Sequence, residues 1–129
     1  MTEELKIVIQ YRLDKAFETL SDAQLLFDSN KLYACINRLY YASFYAINSL
    51  LLQNGLSSKT HKGVRNLFML EFVNKGFVPR EWATFYSHLF DSRLESDYKD
   101  LYVPDPDTVK EWLEKCYKFL DLIKSLIKF

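Results

Sequence analysis

Apolar residues recur at helical spacing along nearly the whole chain. Leu5, Ile9, Leu13, Ala16, Leu20, Ala23 and Phe27 step by fours and threes, which predicts one amphipathic helix from about Glu3 to Asp28. Ser29-Asn30 breaks it, and a second helix follows from about Lys31 to Asn54. Gly55 suits the left-handed position that ends helices. A short polar loop then leads to Thr60, a suitable N-cap for a third helix from about His61 to Asn74, closed by Lys75-Gly76. Pro79 fits the first turn of a fourth helix, from about Pro79 to Lys99. Pro104 and Pro106 forbid its continuation. The last helix, from about Pro106 to Lys128, repeats Val109, Leu113, Cys116, Leu120, Ile123 and Ile127. No segment alternates long enough for a strand, and no internal repeat is present. The expected fold class is all-α: an antiparallel bundle of about five helices, forming a single domain over residues 1–129.

The second helix differs from the others. Beyond Arg38 it carries no charge, and Tyr33, Tyr40, Tyr41, Phe44 and Tyr45 surround its axis. A helix apolar on every side is buried on every side. A second copy of the chain across one face would complete that burial, so a homodimer is expected.

Composition narrows the function classes. The 129 residues are 49% apolar and 26% charged, enough for one packed core. Basic and acidic side chains balance at 17 each, so any nucleic-acid binding must come from a local patch. Cys35 and Cys116 lie far apart without metal-ligand spacing and read as reduced thiols of a cytoplasmic protein. The acidic start Met1-Thr2-Glu3-Glu4 is unlike a signal peptide. The longest apolar stretch, ending near Leu52, contains Ser43 and Asn48 and is too short to span a bilayer. Two histidines without paired Cys or Glu spacing make no zinc site, and no Gly-rich phosphate loop occurs, so neither a metal nor a cofactor is expected.

Some polar residues stand where the periodicity asks for apolar ones. In helix four the stripe Trp82, Phe85, Leu89 continues into Arg93 and then Asp97. An Arg and an Asp at i and i+4 can pair to orient the helix, or they can open a cleft in which the guanidinium fork meets phosphate. In helix two, Asn37, Tyr41, Tyr45 and Asn48 form a strip, with Arg38 beside Tyr41 at i, i+3. These are either hydrogen-bonded core residues or the polar lining of a groove beside Arg93. His61 opens helix three, followed by Lys62 and Arg65 in a basic region. It belongs either to a solvated face or to a phosphate site at the helix N-terminus. His88, near the core stripe of helix four, reads as a structural histidine.

The stretch Asn37-Arg38-Leu39-Tyr40-Tyr41-Ala42-Ser43-Phe44-Tyr45-Ala46 resembles the helix-two signature of small stand-alone prokaryotic HEPN-domain proteins. Thr60-His61-Lys62-Gly63-Val64 with Phe68, then Phe72 to Gly76, then Arg93 with Asp97-Tyr98, and a closing amphipathic helix agree in order and spacing, over roughly residues 5–125. The resemblance implies a dimerising helical bundle and partnership with a minimal nucleotidyltransferase, often as a toxin–antitoxin pair. Many such proteins are metal-independent ribonucleases whose site is an Arg followed four to six residues later by His at a dimer cleft. No Arg here has His at that spacing, and Tyr98 stands where one would follow Arg93. A phenol with an unperturbed pKa of about 10 is a poor base for a ribose hydroxyl. In some toxin relatives a tyrosine two residues beyond the His is modified by the nucleotidyltransferase. That position here is Asp100, flanked by Tyr98 and Tyr102.

The sequence therefore supports a nucleotide- or RNA-phosphate-binding protein using Arg38, Tyr41, His61, Arg93, Asp97 and Tyr98. Arg93 would hold phosphate, Asp97 would orient it, and Tyr98 would stack on a base or be modified. Two other expectations stand beside it. One is a metal-independent endoribonuclease with His61 as its base, and the other a non-catalytic protein-interaction module.

Overall fold

A computed structural model describes the backbone of residues 1–98 and 103–129 and the side chains of 1–93 and 103–129. Five α-helices follow one another: α1 (Glu3–Asp28), α2 (Leu32–Gln53), α3 (His61–Phe68), α4 (Arg80–Tyr98) and α5 (Pro106–Leu126). Among the described residues there is no strand.

Local chemistry sets the boundaries. The Thr2 hydroxyl caps α1 by accepting from Leu5 N at 3.1 Å. Asn30 makes the tight α1–α2 turn with φ of 58°, a conformation asparagine tolerates better than most residues. Gly55 and Gly76 take φ of 72° and 84°, where a side chain would be strained. Asp105 caps α5 with Pro106 at its first turn. α4 begins at Arg80, one residue later than expected, with Pro79 just outside it.

The third helix departs from the expected single α-helix. It is α-helical only to Phe68 and then widens into a π-helical segment, Met69–Val73, before the turn at Gly76. The wider turn lets Phe68, Phe72 and Val73 all face the core, while Leu70 stays exposed.

Helix α2 is the axis of the bundle. It packs against α1 most extensively, and α5, α4 and α3 cover its other sides. Ile36, Leu39, Tyr40, Ala46, Ile47 and Leu51 are fully buried within the single chain. Of the aromatic residues that suggested a second copy, Tyr40 is buried within the single chain, Tyr41, Phe44 and Tyr45 are half-buried, and Tyr33 is exposed. Phe68, Trp82, Phe85 and Phe119 stack and interlock between α3, α4 and α5. Both cysteines are buried thiols, and burial raises Cys35 to about 11 and Cys116 to about 12. No helix among the described residues is long and apolar enough to cross a membrane.

Candidate functional site

Three helices deliver the site. One face of α2 presents Arg38, Tyr40, Tyr41 and Phe44; the start of α3 presents His61; α4 presents Tyr86, Phe90 and Arg93. The start of α3 is fixed tightly. The Thr60 hydroxyl accepts from Gly63 N at 2.9 Å and caps the helix. A Cβ on Gly63 would collide with Ser58 Oγ, so glycine lets the loop fold back against the helix here.

Tyr41 is the hub. Arg93 Nη1 donates to its hydroxyl across a long 3.4 Å. The Arg38 guanidinium lies 5.2 Å from its ring centroid, and the His61 ring meets it edge-on at 5.9 Å. Four of the residues singled out from sequence, Arg38, Tyr41, His61 and Arg93, therefore converge on one point. The other two, Asp97 and Tyr98, have side chains outside the described residues, as do Tyr102 and the Asp100 position.

Arginine is held here by aromatic rings. Arg93 stands 4.7 Å from the Tyr40 centroid and 5.6 Å from that of Phe90, and its Nε is buried. Arg65 stands 4.2 Å from the Phe90 centroid, so the two cations share one ring. The ion pairs formed among the described residues are Lys6–Glu3, Lys75–Glu71 and Lys115–Glu111, all away from Arg38 and Arg65. For Arg65 the ring contact positions the guanidinium without neutralising it.

Arg38 is less clearly directed at that ligand. Its Nε and Nη2 donate to Asn37 Oδ1 at 3.0 and 2.7 Å. It also borders a groove of about 340 Å³ shared with Asp14, Glu18 and Asp22, whose carboxylates oppose an anion. The expected polar strip on α2 divides in the same way. Asn48 donates to Phe44 O within its own helix, and Lys15 covers the Tyr45 ring at 4.9 Å. Both contacts lie at the C-terminal end of the strip and within the bundle.

His61 stacks on Phe44 with centroids 4.5 Å apart, and its Nδ1 lies 2.7 Å from the Tyr40 hydroxyl. Desolvation, then the Arg93 cation, lower its pKa below the ordinary 6.5. Tyr40 in turn hydrogen-bonds the Tyr86 hydroxyl at 3.4 Å, and burial raises both phenols. His88 departs from the expectation: it is exposed, its ring 6.5 Å from Trp112, rather than sitting near the core.

Sequence reasoning missed Tyr40, Tyr86, Phe90 and Arg65 as parts of this site. Another cavity, of about 370 Å³, opens at the C-terminal end of α2 between Leu50, Leu56, Phe72 and Leu126. It is mainly apolar and remote from the arginines. Among the described residues no group of three or more His, Cys, Asp or Glu side chains gathers as metal ligands would.

Comparison with known proteins agrees with this architecture. A Thermotoga maritima protein named "UPF0332 protein" is 42% identical over 128 residues, covering 99% of this chain and 96% of its own. A Methanocaldococcus jannaschii protein named "Putative toxin MJ0605" is 32% identical over 129 residues, covering 99% and 95%. A Pyrococcus horikoshii protein of the first name is 44% identical over 71 residues, 55% of this chain and 50% of that one. The HEPN domain model matches residues 9–126, nearly the whole bundle, and the chain belongs to the HEPN family.

Proposed function

We propose that this protein binds the phosphate of a nucleotide or RNA at the Tyr41 site, as the toxin-side partner of a minimal nucleotidyltransferase. The single observation that carries the reading is the meeting of Arg93 and His61 at Tyr41, with Tyr40 packed against both the guanidinium and the imidazole. Arg93 supplies the planar fork and His61 a second polar contact, with Arg65 adding positive potential from across Phe90. The toxin name of the Methanocaldococcus jannaschii relative supports the toxin-side role. A cytoplasmic homodimer belongs to the same reading. Exposed Ile7, Val8 and Tyr11 on α1 offer apolar surface for a second copy.

The test compares adenosine with adenosine monophosphate by calorimetric titration. Binding that requires the phosphate supports the reading, and equal or absent binding of both refutes it. Co-expression with a minimal nucleotidyltransferase from a neighbouring reading frame, followed by co-purification, tests the partnership. The endoribonuclease reading is favoured by one observation, the nearness of His61 to Arg93. Cleavage of RNA in the presence of EDTA, lost in His61→Ala, would establish it instead.

A further inference from the structure

The hydroxyls of Tyr86 and Tyr40 and the Nδ1 of His61 form a short chain, with separations of 3.4 and 2.7 Å. Tyr40 and Tyr86 are fully buried, and each has one O–H hydrogen to place without help from bulk water. Among the described residues, one arrangement satisfies both: Tyr86 donates to Tyr40, and Tyr40 donates to Nδ1. Were the hydrogen on Nδ1 instead, either the Tyr40 or the Tyr86 hydroxyl hydrogen would be left without an acceptor among the described residues, a costly state in the core. So Nδ1 accepts, and the ring hydrogen of neutral His61 sits on Nε2. Among the described residues Nε2 has no hydrogen-bond partner, and it is not one of their buried unpartnered atoms, so it is open on the side away from Tyr40.

We propose that Tyr40, oriented by Tyr86, is a positioning residue that holds His61 as its neutral Nε2–H tautomer, which makes His61 a hydrogen-bond donor to an anion beside Arg93. This rests on the anion-binding reading of the site. The groups facing His61 are Tyr40 and Tyr41 from α2, Tyr86 and Arg93 from α4, and Lys62 and Arg65 along its own helix. Tyr40 holds the neutral ring, and desolvation, then the Arg93 cation, oppose a further proton. Two consequences follow. The ring donates at neutral pH without first taking up a proton. Its outward nitrogen also lacks the lone pair needed to accept a ribose proton, so the tautomer disfavours His61 as a ribonuclease base.

Nitrogen-15 NMR of the full chain, with His88→Gln to leave one histidine, reads the tautomer directly. At about pH 7.5 the wild-type ring should show Nδ1 unprotonated and Nε2 protonated. Tyr86→Phe should keep that pattern, because Tyr40 can still donate. Tyr40→Phe, and the double variant with Tyr86→Phe should either single variant fold poorly, should admit the Nδ1–H form and raise the titration midpoint. Sulfate is the probe, because its charge is constant across this range. Its addition should shift the Nε2–H signal, and wild-type affinity should change less than about twofold between about pH 8 and 7. A wild-type ring protonated on Nδ1, or a tautomer indifferent to Tyr40→Phe, would overturn the proposal while leaving sulfate binding intact. The Nε2–H tautomer without sulfate binding would instead overturn the anion-binding reading, and the donor role with it.

Discussion

Replacing Arg93 with alanine separates site from scaffold. The guanidinium rests on Tyr40 and Phe90, at 4.7 and 5.6 Å from their centroids, and reaches the Tyr41 hydroxyl at 3.4 Å. The cation–ring contact is worth about 0.5–2 kcal/mol when partly desolvated, and so long a hydrogen bond adds little. The melting temperature of Arg93→Ala should therefore fall by only about 2–10 °C, leaving the chain folded at 25 °C. A phosphate held by a charged hydrogen bond loses about 1.5–3 kcal/mol, which is about ten- to 150-fold in Kd. Arg93→Lys should recover little of this, because an ammonium cannot reproduce the fork. The His61 pKa should also rise in Arg93→Ala, since the Arg93 cation is one of the two causes that lower it. Calorimetric titration with adenosine monophosphate, thermal melts and histidine NMR on the same three proteins give independent readouts. Unchanged affinity in Arg93→Ala, alongside a lower melting temperature, would make the arginine scaffold and refute the phosphate site.

Four further outcomes are expected. Thr60→Ala removes the α3 cap, and thermal melts should show a loss of about 1 kcal/mol, with Thr60→Ser restoring most of it. The folded-state pKa of His61 lies below its unfolded value, so the unfolded chain binds the extra proton first. Wild-type stability should consequently drop as pH falls below about 7, toward the folded-state pKa, and His61→Phe should lose less over that interval in denaturant melts. Cys35 and Cys116, held near 11 and 12, should stay almost unlabelled by a thiol reagent at neutral pH until denaturant is added. Light scattering at micromolar concentration should give about twice the 15.3 kDa chain mass, and a value at the chain mass would exclude the homodimer.

Periodicity carries the five helices because each buries one continuous stripe, and a stripe is visible in residue types alone. The π-helical segment escaped for the same reason: one extra residue in Met69–Val73 shifts the stripe by less than its own width. Arg93 was legible as a polar group interrupting an apolar face, and His61 as the residue that opens α3 in a basic region. Tyr40 and Tyr86 were not, because a tyrosine in an apolar strip looks like core, and its hydroxyl declares itself only when a partner is in reach. Arg65 merged with the surrounding basic surface until Phe90 was seen beneath it.

The three-residue turn between α1 and α2 has a kinetic consequence. It joins the most extensively packed pair of helices at almost no loop-closure cost, so these two can associate before the rest of the bundle has formed. The anion site depends on later events, because Tyr40, His61 and Arg93 meet only after α3 and α4 have docked on that pair. In stopped-flow refolding, destabilising changes in the α1–α2 contact, such as Leu13→Ala, should slow folding. Changes at Arg93 or His61 should instead accelerate unfolding and leave the folding rate nearly untouched.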